Sequence, residues 1–252
     1  MEDLPDDRGK GDDDDGGDDV DDEGGRFYGD GLDEDYAELL SLVDAAEDIK
    51  IEKLDQQGVR RMLLKLEDCI TKNQIMRIKH PNDPAKFGDS EADLDEAIKH
   101  LLALSQAPHH YPEMIKLNTL PSLLSLLGHE NTDIAIDVVE LLNELLDEEL
   151  VTEENEAAVR TFVEALLSEQ APEMLVHNLK RLDETNSADR QGVFYTLGVF
   201  ENIASVDAEF AEAIVSKTEL LDWLLMRVRQ RESDSNRNYA SELLSILVQE
   251  RR

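Results

Sequence analysis

One cysteine, one tryptophan and few aromatic residues of any kind stand in a chain of 252 residues, where aromatic side chains make up 5% of the total. A single thiol, Cys69, excludes an intrachain disulfide, which fits a reducing, intracellular setting. Basic residues are also scarce. Lys and Arg number 25 against 59 Asp and Glu, a formal net charge of −34. That balance repels a nucleic-acid backbone, so no direct nucleic-acid binding is expected, and it favours a basic protein partner. No apolar run approaches the roughly 18 residues of a membrane span, so no membrane association is expected. The first residues are acidic and lack the basic-then-apolar order of a signal peptide. Also missing are a Gly-rich phosphate loop, a Gly-x-Ser-x-Gly turn and any Cys or His at zinc spacing. Carboxylates abound, but nothing sets one in an apolar pocket beside another in a polar one, as acid–base chemistry needs. An enzyme is the least supported class, and neither cofactor nor metal is expected.

What the chain has in quantity is leucine and alanine, a helical composition. Met1 to Tyr36 differs from the rest. It includes "GDDDDGGDDVDDEGG" and has too little apolar surface to offset the entropy of ordering it, so residues 1–36 are expected to be a disordered acidic tail. A calcium loop starting at Asp12 would place Asp14, Gly17 and Glu23 at the third, sixth and twelfth positions. Against it, Gly16 falls where a ligand is needed, Asp19 where an apolar residue is usual, and neither flank reads as a helix. From Asp35 a helical pattern sets in. "YAELLSLVDAAEDI" spaces Tyr36, Leu39, Leu40 and Val43 along one face, and Val59, Met62, Leu63, Leu66, Ile70 and Ile75 continue such a face in the next segment. "PNDPAKFGDSEADL" then breaks the helix at Pro81 and Pro84, and Ser90 with Asp93 reads as the N-cap of its successor, which stops near Ala107–Pro112. Residues 37–110 are read as an N-terminal helical cap region. Cys69 is expected as a buried thiol. The basic stretch Arg60, Arg61, Lys65, Lys72, Arg77 and Lys79 is expected as a solvated or internally paired face.

Residues 111–252 carry a repeat. Leu141-Leu142-x-x-Leu145, Val199-Phe200-x-x-Ile203 and Leu243-Leu244-x-x-Leu247 each close an amphipathic helix, at steps of 58 and 44 residues. The longer step reads as the insertion of one extra helix, Asn155 to Glu169. "MIKLNTLPSLLSLL", "EMLVHNLKRLDETN" and "AIVSKTELLDWLLM" are the hairpin partners, so each unit is a helix, a tight bend, a helix, a polar loop and a longer helix. Asn131 or Thr132 caps the first long helix. One unit cannot bury its own apolar face, so the units must stack. The expected fold is all-α, a right-handed superhelical solenoid of armadillo/HEAT-like repeats whose long helices line a concave groove.

The pattern resembles the armadillo repeat, whose third helix typically ends in Ala-Leu-x-Asn-Leu-Ala. "VFENIA" fits best and puts Asn202 at the position that, in that family, hydrogen-bonds an extended peptide. The equivalent residue is Glu144 in one copy and Ile246 in another, and Gly198 stands where nuclear-import adaptors carry a tryptophan, so their Asn and Trp ladder is missing. Taking Glu144 and Asn202 as groove-facing, positions four and seven residues earlier add Glu140 and Asp137, then Gly198 and Tyr195. The same register adds Tyr239 and Glu242. Carboxylates would pair with Arg and Lys of a bound peptide, tyrosines would stack on them, and Asn202 would bond its backbone. The competing reading is that these carboxylates are only the solvent face of amphipathic helices.

A more specific match runs from Asp55 to Gln249. "KNQIMRIKHPNDPAKFGDSEADLDEAI", "LLSLLGHENTDIAIDVVELLNELLDEE" and "LVHNLKRLDETNSADRQGVFYTLGVFENIA" strongly resemble the beta-catenin-like protein 1 family of nuclear armadillo proteins. The resemblance implies nuclear localisation and a non-catalytic scaffold of the spliceosome-associated nineteen complex, binding basic localisation-type segments of splicing factors. The runners-up are a nuclear-transport adaptor for basic cargo and an acidic histone-chaperone-like protein. Two departures stand out: the N-terminus is acidic where animal members are basic, and members are about twice as long. The chain ends just after a Leu-rich helix, which reads as a C-terminal truncation or as a face for self-association through the last helices.

Overall fold

The computed structural model describes residues 54–249. The acidic tail, the weighed calcium loop and the helical pattern Tyr36–Ile49 lie outside the described residues, as do Arg251 and Arg252. Among the described residues there are eleven α-helices and no strand.

Helix α1, Gln56–Lys79, starts where Asp55 accepts the Gly58 amide at 2.6 Å and ends with Arg77 and Lys79 in its last turn, which suits the helix dipole. Its inward face is Val59, Leu63, Leu66, Cys69, Ile70 and Asn73. Cys69 is buried, as expected, and burial raises its thiol pKa. Three of the basic side chains are paired internally: Arg60 with Glu113, Lys72 with Asp93, and Arg77 with Glu91 and Glu130.

Helix α2, Gly88–His100, begins earlier than the sequence predicts. Pro84 opens a short 3-10 turn, Pro84–Lys86, that runs almost directly into α2. Ser90 therefore lies inside the first turn rather than at the cap. It is buried, donates to the Phe87 carbonyl at 2.7 Å and accepts the Asn73 side-chain amide at 3.1 Å. After His100 the chain tightens into a 3-10 stretch, Leu101–Gln106.

Three units follow, each with two shorter helices and a long one. The first is α3 (Tyr111–Lys116), α4 (Thr119–Ser125) and α5 (Thr132–Leu145). The second is α6 (Glu156–Ser168), α7 (Ala171–Leu179) and α8 (Ser187–Val206). The third is α9 (Ala208–Lys217), α10 (Leu220–Val228) and α11 (Ser235–Val248). Helix α6 is thus not an insertion: it holds the place of α3 and α9. The longer step comes chiefly from the connection before α6, residues 146–155 with the 3-10 turn Glu148–Leu150, whereas Asp207 alone separates α8 from α9; the greater length of α6 and α8 adds the rest. Asn118 and Gln170 make the tight bends with φ of 56° and 61°, left-handed values that let a helix restart within two residues. Asn131, Asn186 and Asp234 cap the three long helices, each side chain accepting an amide of the first turn.

The long helices pack side by side in chain order, α2 on α5, α5 on α8 and α8 on α11. They form one layer, called here the long-helix face for its outward side. No packing boundary falls between residues 110 and 111, since α1 also touches α3 and α4. Behind the layer, the short helices stack on one another. Tyr111 of α3 is fully buried, lies 4.9 Å from the Phe162 ring of α6 and donates its hydroxyl to the Leu145 carbonyl at 2.8 Å.

At the loop ends of the long helices a polar seam ties the units together. His129 accepts the Asn131 amide on Nδ1 at 3.1 Å, which leaves Nε2 to donate to the buried Asn73 side-chain oxygen at 3.2 Å. Arg181 donates to the His129 carbonyl at 2.6 Å. Arg77 reaches both Glu91 and Glu130 and stacks 4.6 Å from the Phe87 ring. The block Lys72–Phe87, so distinctive in sequence, is therefore a structural joint between α1, α2 and the loop before α5. Further along, the buried Arg227 guanidinium forks onto Glu184 at 2.7 and 2.9 Å and onto Asp234 at 2.8 Å, and Asn236 donates to Glu184 at 2.9 Å.

Candidate functional site on the long-helix face

Helical periodicity puts every third or fourth residue of α5, α8 and α11 on the same side. That side collects the residues named from sequence. At the α2 end, Asp137 is largely buried, with 12% of its side chain exposed. It faces Asp95, and Lys99 pairs with Asp95 and stands 3.8 Å from Asp137. Burial, with hydrogen bonding to Asp95, holds the Asp137 carboxyl well above the usual carboxylate range. Burial also pushes Asp95 up, but hydrogen bonds from Lys99 and Asp137 outweigh it and leave Asp95 below its ordinary value. Asp137 is thus engaged inside the layer rather than held out as a free anion.

The centre of the face lies between α5 and α8. The Tyr195 hydroxyl donates to Glu140 at 3.1 Å, and burial together with that carboxylate raises the phenol's pKa. Glu144 adds its charge nearby. The Asn202 side-chain amide donates to the Asn143 carbonyl at 3.4 Å. Its one donor group is therefore turned to α5, which leaves its oxygen for a ligand. Gly198 is buried, and a Cβ there would lie 2.2 Å from Asn143 Oδ1 and 3.3 Å from the Tyr239 hydroxyl. Where import adaptors carry a tryptophan, α8 here has no room for any side chain without displacing Asn143.

Between α8 and α11 the Tyr239 hydroxyl donates to Glu201 at 2.5 Å. Burial, Glu201, Glu242 and Glu148 all push the Tyr239 phenol pKa upward. Glu144 is half-buried and Glu242 exposed, and neither has a hydrogen-bonding partner among the described residues.

The structure therefore brings Glu140, Glu144, Tyr195, Asn202, Tyr239 and Glu242 onto one face, with Gly198 buried beneath it and Asp137 held inside the layer at its α2 end. Sequence reasoning missed Glu201, Asn143, Asp95, Lys99 and Phe194. Phe194 is 40% exposed, unusual for so large an apolar ring, and lies 5.1 Å from Tyr239 and 6.4 Å from Tyr195. Its signal was available, because it sits four residues before Gly198 and eight before Asn202 and so shares their side of the helix. Chemically the face offers acceptors and aromatic surface. No group of three or more His, Cys, Asp or Glu side chains able to hold a metal occurs among the described residues, and none of their helices is long and apolar enough to cross a membrane.

Comparison with known proteins gives the same architecture a lineage. The family described as "Catenin-beta-like, Arm-motif containing nuclear" matches residues 37–252. The beta-catenin-like protein 1 homolog of Schizosaccharomyces pombe is 38% identical over 229 residues, which is 90% of this chain and 40% of that protein. Beta-catenin-like protein 1 of Homo sapiens is 40% identical over 198 residues, 78% of this chain and 35% of that protein, and the Mus musculus protein matches to the same extent. The chain thus spans well under half the length of these curated relatives. With nine of the eleven α-helices of the described residues in three stacked three-helix units and a family match over residues 37–252, the chain belongs to the catenin-beta-like, Arm-motif nuclear family.

Proposed function

We propose that this chain is a non-catalytic scaffold that works in the nucleus and binds basic, localisation-type segments of splicing proteins along its long-helix face, as part of the spliceosome-associated nineteen complex. The observation that carries the reading is the composition of that face. Glu140, Glu144, Glu201 and Glu242 surround Tyr195 and Tyr239, and no ion pair neutralises any of the four among the described residues. Two of these carboxylates are already oriented by tyrosine hydroxyls, so they are set to receive the donors of an incoming Arg or Lys. The family's nuclear designation and the kinship with beta-catenin-like protein 1 supply the cellular setting.

Calorimetric titration with basic peptides from splicing factors tests this, at two salt concentrations and beside a Glu144→Lys/Glu242→Lys variant. Neither glutamate has a structural partner among the described residues, so the variant keeps the fold. Saturable 1:1 binding that the variant weakens at least tenfold supports the reading. Weak, unsaturable binding that is equal in both proteins and vanishes with salt means bulk charge attraction and overturns it.

A further inference from the structure

We infer that Phe194, Tyr239 and Glu201 form a subsite that accepts an arginine side chain in preference to lysine. The inference rests on the basic-segment reading above and deepens it. Three observations converge. The Phe194 ring is exposed and is tilted 55° against Tyr239 at 5.1 Å. The Tyr239 hydroxyl is held by one oxygen of Glu201, so the carboxylate is fixed while its second oxygen has no partner among the described residues. Glu242 and Glu148 add negative charge around the same phenol. Tyr239 links the two, its ring against Phe194 and its hydroxyl on Glu201, and an exposed ring joined in this way to a fixed carboxylate suits a planar cation. A guanidinium can lie flat on the ring and still aim its edge N–H groups at Glu201, because its donors lie in its own plane. An ammonium is a compact, strongly hydrated charge whose donors cannot serve both partners in this way, and it sheds water less readily against a phenyl ring. Gly198 is part of the arrangement: a side chain there would press on the Tyr239 hydroxyl, at 3.3 Å from the Cβ.

The test is fluorescence anisotropy with two labelled peptides of one sequence, basic positions all Arg in one and all Lys in the other, against the full chain and its Phe194→Leu, Phe194→Tyr and Glu201→Gln variants. The expected result is that the Arg peptide binds wild type about fivefold or more tighter than the Lys peptide. Phe194→Leu should bring the ratio close to one mainly by weakening the Arg peptide, Glu201→Gln should lower it, and Phe194→Tyr, which keeps a ring, should retain it. Phe194 is partly exposed, so the leucine variant is expected to fold, and its far-ultraviolet circular dichroism checks this. Equal binding of the two peptides to wild type, or a ratio unchanged in Phe194→Leu, overturns the subsite and leaves the basic-segment reading standing. Failure of both peptides to bind overturns both.

Discussion

Gly192 and Asp137 show how single positions carry strain and charge in this fold. A Cβ at Gly192 would lie 2.7 Å from Ile136 Cγ1 and 3.3 Å from Leu182 Cδ1, all in packed surroundings. Alanine is the better helix former by about 1 kcal/mol, but overpacking a core of this kind costs about 1–3 kcal/mol. Gly192→Ala should therefore lower the thermal midpoint, and adding Ile136→Ala should recover part of the loss in a double-mutant cycle read by calorimetry. Asp137 carries the pH dependence. Its carboxyl binds a proton more tightly folded than unfolded, so its contribution to stability falls as pH rises from the ordinary Asp value of about 4 to about 7, and is lost above that. One proton sets a ceiling of about 1.4 kcal/mol per pH unit on the slope. Asp137→Asn should flatten that part of a urea-midpoint profile and should be more stable than wild type at pH 8. Asp95, whose pKa is lowered, acts in the opposite sense only below the ordinary carboxylate range, while His129, whose pKa burial lowers, opposes Asp137 below about 6.5, so the difference between wild type and Asp137→Asn isolates the Asp137 part.

Among the elements, the joint around Arg227 is the most exacting. Its guanidinium is 5% exposed and binds Glu184, from the loop before α8, together with Asp234, the cap of α11. Replacing it by methionine leaves two carboxylates without their cation and should cost about 3 kcal/mol, moderated because both acids reach solvent. Arg227→Lys should restore only part of this, since an ammonium lacks the planar fork that gives Glu184 two parallel hydrogen bonds while also reaching Asp234. Hydrogen exchange would register the damage first in α10 and α11. This scale also divides what a sequence can reveal from what it cannot. The long helices, the cap at Asn131 and the three-helix unit follow from local spacing and local capping chemistry, and they were legible. Ser90 was misplaced because the 3-10 turn at Pro84 starts α2 early, an effect of backbone geometry that residue types do not encode. The partners of Asn202, Tyr239 and Asp137 were illegible because each lies on a neighbouring helix, and cross-helix register depends on how the layers settle. For the same reason the tie from one N–H of Asn202 to the Asn143 carbonyl cannot be read from the sequence.

At the scale of the described unit, the stack resembles a rack whose rungs are the long helices. Its side-chain ties run from α2 through α5 and α8 to α11 without interruption. Nearest-neighbour coupling of this kind makes stability a sum of unit and interface contributions. Damage at one rung therefore propagates mainly to the next.

Those ties also set a pitch. Helices packed side by side stand about 8–10 Å apart, and a chain in the polyproline II conformation advances about 3.1 Å per residue and brings every third side chain back to the same side. A segment in that conformation laid across α5, α8 and α11 would therefore present one side chain to each successive rung. On the proposed function the face would act as a ruler: basic residues three apart would meet the carboxylates of successive rungs, whereas the same residues two apart would leave some charges turned to water. Peptides of identical composition, differing only in whether their basic residues recur every second or every third position, measure this directly. The three-residue period should bind more tightly, and equal affinity would show that composition alone is being read.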